Sequence, residues 1–232
     1  MSTVQATSVV EKIQERGYWR VVIRPTTFDP KRIARHEDLF PLVDRLAVRL
    51  RGWSYPYVNI AEQPCDGGDW IGQEKDWNHF LEMWKFYQSG QFYHIFGMVQ
   101  DWRDESSLWP EEDDWRPGRI VDPRDAVAYF TEIFEFAARL AMSKAGDNAM
   151  QIEIDLRNIE GRVLPYIQDH ADFIQPCQTS AREFVYRRDL TRTELVTDTK
   201  SLARQAAREL FLRFGWEPSE EVLRVLQETI GR

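Results

Sequence analysis

The chain carries only two cysteines, Cys65 and Cys177, and four histidines. Neither cysteine has another nearby, which argues against a disulfide framework and against a cysteine-built structural zinc site. No apolar run of about 18 residues occurs, and residues 1–16 are mixed and polar, so neither a membrane span nor a targeting peptide is expected. The cytosol is the expected compartment. Positive charge is also scarce: 30 Lys and Arg face 38 Asp and Glu, a formal net charge of −8. Such a field repels phosphate backbones and anionic lipid, which disfavours nucleic acid as a partner. Missing too are a Gly-rich phosphate loop, a His-Glu-x-x-His pair, a nucleophile elbow and a Walker-type lysine, which removes the enzyme classes that carry them.

What the chain has in quantity is aromatic surface: nine Trp, eight Tyr and thirteen Phe. Several Trp follow an acid, as in Asp69-Trp70, Asp76-Trp77, Asp101-Trp102 and Asp114-Trp115, a context more typical of surface than of interior. Charge is uneven along the chain. Residues 1–60 hold ten basic and six acidic side chains, residues 61–122 five and fourteen, and residues 123–232 fifteen and eighteen. These are read first as solvated faces, with an internal clamp between the basic start and the acidic centre as the alternative.

Period-two alternation of β-branched and aromatic residues predicts a strand over 18–24, with Trp19, Val21 and Ile23 on one face. Asp29-Pro30 predicts a short helical turn, residues 38–46 a helix with Pro41 in its first turn, and residues 47–53 a second strand. Two aromatic-rich runs, 80–88 and 91–99, flank Ser89-Gly90 and predict a tight hairpin. With Gln88 opposite Gln91, Lys85 would face His94 and Trp84 would face Ile95. Residues 101–121 read as an acidic, Trp-containing loop. Asp122-Pro123 then caps a long helix with an apolar stripe from Ala126 to Ala141, stopped by Gly146. Residues 150–157 alternate as a half-buried strand, with further strands near 162–166 and 183–190. A helix capped by Asp198 runs to Phe214, and a last one opens at Pro218 and runs to Ile230. The pattern predicts a single α+β domain over 1–232 with a mostly antiparallel sheet, a central aromatic hairpin and a helical C-terminus, and with residues 1–16 as a tail or short helix.

Three constellations could carry chemistry. Asp169-His170-Ala171-Asp172 offers metal-ligand residue types, yet no second His cluster completes a site, and a polar loop is the plainer account. Glu153 and Asp155 share the wet face of one strand, as the paired acids of metal-dependent nucleases do, but cross-strand pairing with Arg162, Arg187 or Arg188 needs no ligand. Arg20 and Arg24 on the first strand, with Arg49, Arg51 and Trp53 on the second, would gather guanidinium groups beside aromatics, suited to a phosphorylated small ligand or to the chain's own acidic loop. Around the hairpin turn, Trp84, Tyr87, Phe92, Tyr93 and His94 are mostly core candidates. The remainder would form a pocket or docking surface.

The strings Gly17-Tyr18-Trp19-Arg20-Val21-Val22-Ile23-Arg24-Pro25, Val48-Arg49-Leu50-Arg51-Gly52-Trp53, Tyr87-Gln88-Ser89-Gly90-Gln91-Phe92 and Phe214-Gly215-Trp216 resemble a bacterial module of unknown function found beside Schlafen-type (Alba-like) DNA-binding domains. The resemblance spans nearly the whole chain, assigns no catalytic residue and implies an accessory or sensing role; no such DNA-binding portion precedes residue 17. The expected function is therefore a non-catalytic binding or regulatory module without a cofactor. It would recognise a protein partner or small anionic ligand through Arg20, Arg24, Arg49, Arg51, Trp53, Trp84, Tyr87 and His94. A metal-dependent hydrolase or nuclease using Glu153 and Asp155 is the alternative, and a nucleic-acid-binding accessory protein the second.

Overall fold

The structure, a computed structural model, describes residues 8–77, 79–105, 115–165 and 177–230. In chain order its elements are α1 (Val9–Gln14), β1 (Tyr18–Pro25), α2 (Leu39–Leu46), β2 (Cys65–Asp66), β3 (Trp70–Trp77), β4 (Phe80–Tyr87), β5 (Phe92–Gly97), α3 (Pro123–Ala141), β6 (Ala149–Arg157), β7 (Val163–Leu164), β8 (Cys177–Gln178), β9 (Glu183–Thr191), α4 (Arg192–Thr197), α5 (Thr199–Leu212) and α6 (Glu220–Glu228). Seven strands pair antiparallel in the order β2-β3-β4-β5-β1-β6-β9, and β7 pairs with β8 apart from them. All helices but α1 pack on one face of this sheet, and the fold is α+β. No helix among the described residues is long and apolar enough to cross a membrane.

Period two decides what each face carries. Trp19, Val21 and Ile23 of β1 lie beside Ile152, Ile154 and Leu156 of β6 and beside Phe92 and Phe96 of β5, all buried under α3. Trp19 stacks on Phe96 with ring centroids 6.2 Å apart and meets the edge of Phe130 on α3 at 5.3 Å. Asp122 accepts hydrogen bonds from the backbone N–H groups of Arg124 and Asp125, and Pro123 occupies the first turn, as the sequence predicts. α3 is buried on nearly every side because α5 and α6 pack on its outer face, where Gln227 Nε2 donates to Thr131 Oγ1 at 2.9 Å. On the opposite sheet face α1 seats Ile13 over Leu81, Met83, Ile95 and Trp102, a second and smaller apolar cluster.

Four local expectations are corrected. Residues 47–53 are not a strand: Val48 and Tyr55 exchange two hydrogen bonds at 2.8 Å as an isolated bridge, and Gly52 at φ +87° folds the chain between them. Asp29-Pro30 opens no helix; the Asp29 carboxylate accepts from the Lys31 N–H at 2.9 Å in a local turn. The β4–β5 hairpin has a three-residue loop, because Gly90 takes φ +85° and donates to the Tyr87 carbonyl while the Tyr87 N–H donates to the Gln91 carbonyl. Phe86 therefore faces Phe92, Lys85 faces Tyr93 and Trp84 faces His94, one residue away from the expected register. Asp198 makes no side-chain cap; Thr191 caps the extra helix α4 that precedes α5.

The acidic loop begins as a 3-10 helix, Val99–Glu105. Its buried Asp101 forms a bidentate pair with buried Arg162 and accepts from the Gly17 and Gly118 N–H groups, each at 2.9 Å. Arg162 also donates to the Asn158 and Ile120 carbonyls. The start of β1, the 3-10 helix, the 118–120 segment and the turn after β6 meet at this one ion pair. Residues 106–114, and the 169–172 sequence containing His170, lie outside the described residues.

Candidate functional site

Beyond the Tyr55 bridge to Val48, segment 53–62 pairs with no strand among the described residues, so its other backbone groups need side-chain partners. The sheet supplies them. Glu82 Oε1 accepts from the Tyr57 N–H at 3.1 Å, Trp84 Nε1 donates to the Tyr57 carbonyl at 2.8 Å, and Gln73 exchanges two bonds with the Asn59 backbone. The segment is thus held above β3, β4 and β5 on the helix face, leaving a pocket of about 170 Å³ beneath it. Trp53, Tyr57, Trp77, Phe80, Phe96 and Tyr129 give it an aromatic wall, with Trp53 39% and Trp77 59% exposed at the rim.

The polar groups lie deeper in the fold. Glu82 and His94 stand diagonally across β4 and β5, and the His94 ring nitrogen Nε2 is 2.8 Å from Glu82 Oε2. His94 Nδ1 and the Tyr55 hydroxyl are buried without a hydrogen-bond partner, and both residues line the pocket. Beside them Asp125, Tyr129 and Glu132 occupy positions i, i+4 and i+7 of α3, one stripe of the helix. Arg51 reaches that stripe from the 48–55 segment: it binds Glu132 through two nitrogens at 3.1 and 2.7 Å and Asp125 at 3.3 Å, with its guanidinium 4.3 Å from the Tyr129 ring.

The electrostatics follow from burial. Desolvation raises the Glu132 carboxyl above its ordinary value even against the bond from Arg51, and with Asp122 nearby it pushes Asp125 up to about 6. Burial, then the Glu132 and Glu82 carboxylates, holds the Tyr55 hydroxyl well above its usual range. Burial works against the Arg51 charge, yet Tyr129, Glu132 and Asp125 keep it above the ordinary guanidinium value.

Of the residues expected to bind a ligand, the structure gathers Arg51, Trp53 and His94 around this pocket, with Trp84 holding its roof. It does not gather the others. Arg20 and Arg24 sit on the opposite sheet face, where Arg20 binds Asp155 and Glu153, and Arg24 donates twice to Gln151. Tyr87 is on that opposite face beside Trp70, and Arg49 is 72% exposed with Asp44 at 3.9 Å. The expected cluster of arginines on neighbouring strands therefore does not form, because the second strand is absent. Nor do these arginines pair with the acidic loop, whose described acids Asp101 and Asp104 bind Arg162 and Arg16. Glu153 and Asp155 are held by Arg20, Arg157 and Arg187; of the pairings expected for them only that with Arg187 forms, at 3.8 Å, since Arg188 turns to Glu209 and Arg162 to Asp101.

Sequence reasoning missed Glu82, Tyr55 and Glu132. A signal for Glu82 existed: it is the one acid on a strand face otherwise made of Phe80, Trp84 and Phe86, and such an acid requires a partner. Among the described residues no group of three or more His, Cys, Asp or Glu is placed to hold a metal ion. Compared with protein-family models, with curated proteins and with solved structures, the chain finds no match in any of the three.

Proposed function

We propose that this chain is a non-catalytic binding module, of accessory or sensing type, whose ligand is a small flat molecule seated in the aromatic pocket between the 53–57 segment and the β4–β5 hairpin. One observation carries the reading: an aromatic-walled pocket of about 170 Å³ with a few polar groups set deep in it, which is the usual build of a small-molecule site. A cavity of about 150 Å³ suffices for benzene, so the occupant is one ring with a small substituent. The expected anionic ligand finds less support, because Arg20 and Arg51 are already engaged by carboxylates. Asp155 is wholly buried, with Oδ2 held by Arg20 and Arg157 and Oδ1 buried without a partner, so it offers a metal ion no exposed oxygen. That burial favours binding over the hydrolase or nuclease alternative. A phosphate backbone would meet Arg20 already engaged by carboxylates. An accessory role also agrees with the resemblance to the module beside Schlafen-type domains, which remains part of the proposal.

Tryptophan fluorescence with a set of single-ring fragments tests it. Fragments that bind should quench the native chain and raise its Tm, and Trp53→Ala, a rim substitution that spares the core, should weaken all of them by about tenfold, since a stacked aromatic contact is worth roughly 1 kcal/mol or more. Binding that ignores Trp53→Ala would place the ligand elsewhere.

A further inference from the structure

We propose that the occupant is a cation: a planar ring bearing a protonated nitrogen group whose N–H donors meet the Glu82 carboxylate. This rests on the pocket reading above and adds the sign of the ligand to it.

The deep end of the pocket is rich in acceptors. Glu82 takes one N–H from Tyr57 and one from His94, and a carboxylate has lone pairs for about four. Because Nε2 of His94 is committed to Glu82, Nδ1 of a neutral ring is an acceptor, and it has no partner. The Tyr55 hydroxyl is a second orphan. Buried polar atoms are paired in the great majority of cases, so two orphans bordering one pocket point to a ligand that completes them. A hydrocarbon would leave both unpaired; the Tyr55 hydroxyl can donate or accept, but an anion would leave His94 Nδ1 without a donor and set a second negative charge beside Glu82.

Charge gives the same sign. Glu132 and Asp125 share Arg51, and Lys75 at the rim turns to Glu62 at 3.3 Å. Among the described residues no Lys or Arg pairs with Glu82. The aromatic wall adds to this, since ring faces carry negative potential and attract cations. The protein already uses it so: Arg51 stands 5.0 Å from the Trp53 ring and Lys75 stands 5.4 Å from the Tyr57 ring.

Benzamidine, benzamide and benzoate share one ring and nearly one shape while carrying charges of opposite sign or none. Titrated into the full chain at neutral pH and followed by ligand-observed NMR and Trp fluorescence, benzamidine should bind about tenfold more tightly than benzamide, with benzoate weakest. Glu82→Gln should bring benzamidine down to benzamide and leave benzamide unchanged, whereas Trp53→Ala should weaken both, benzamidine at least as much as benzamide. Benzamide or benzoate binding as tightly as benzamidine, or a preference that survives Glu82→Gln, overturns the cation inference and leaves the pocket reading standing. No binding of any probe overturns both. Should Glu82→Gln fail to fold, the ranking of the three probes on the native chain decides alone.

Discussion

Asp125 is the residue at which the pocket's crowding has a measurable consequence. Burial first, and then the Asp122 carboxylate, hold its acid at about 6 instead of the ordinary 3.8, with Arg51 pulling the other way. Between those two values the folded chain keeps a proton that the unfolded chain has released, so stability falls as pH rises through this window and is whole below about pH 4. The Asp125 side chain is 37% exposed, and water screens much of the penalty. Asp125→Asn, which cannot ionise, should therefore match the native Tm at pH 4 and equal or exceed it at pH 7. Thermal melts at the two values check this; a variant that loses ground to the native chain on going from pH 4 to pH 7 would mean that attraction to Arg51 outweighs burial. Glu132, raised for the same first reason, differs in being wholly buried and bound by two guanidinium nitrogens. Removing its charge would leave the Arg51 guanidinium without its closest anion, so the two acids of one helix stripe have opposite mutational expectations.

Between elements, two glycines separate conformational strain from steric fit. Gly52 and Gly90 both lie at φ near +85°, but a Cβ on Gly52 meets nothing within 4 Å, whereas one on Gly90 would stand 2.3 Å from the Ala145 carbonyl oxygen. The left-handed backbone costs an L-residue roughly 1–2 kcal/mol, and overpacking about 1–3 kcal/mol more. Urea unfolding should show Gly52→Ala losing about 1 kcal/mol and Gly90→Ala about 3 kcal/mol; equal losses would mean that the hairpin end yields freely. Gly90 also shows where sequence reading reached its limit. α3 and β6 were readable because a capping Asp-Pro and an uninterrupted period are local signals, and the existence of the β4–β5 hairpin was equally local. Its register depended on whether the loop held two residues or three, and that one residue moved Lys85 away from His94 and let Glu82 stand diagonal to it, concealing the pair at the centre of the candidate site. Residues 47–53 alternate as a strand would, yet only Val48 finds a pairing partner, and no local pattern announces that the sheet has no place for the rest.

Across the whole molecule the sheet acts as a partition between two sets of charges. The basic first third is neutralised at a distance, Arg20 by acids of β6 on one face and Arg51 by acids of α3 on the other. The acidic centre is neutralised from both ends of the chain, by Arg162 at Asp101 and by Arg16 and Lys12 of the same first third at Asp104 and Asp76. Pairings of this kind cannot be derived from charge counts along the chain, because they depend on which face each strand turns where. They make a prediction that a cluster of arginines around one anion would not. Arg51→Met leaves Glu132 buried and uncompensated, a loss of about 3–5 kcal/mol. Arg20→Met costs less, about 1.5–3 kcal/mol, because Arg157 remains 2.7 Å from Asp155. With no shared partner and the sheet between them, the two losses should add to within about 0.5 kcal/mol. Their sum approaches the roughly 5–15 kcal/mol that holds a typical domain together, so the double variant should melt far below either single one or lose its cooperative transition. Urea titrations of the native chain, both single variants and the double variant close this cycle. A double variant no less stable than Arg51→Met would mean that the two arginines depend on a common anion, and the separation of their roles by the sheet would fail.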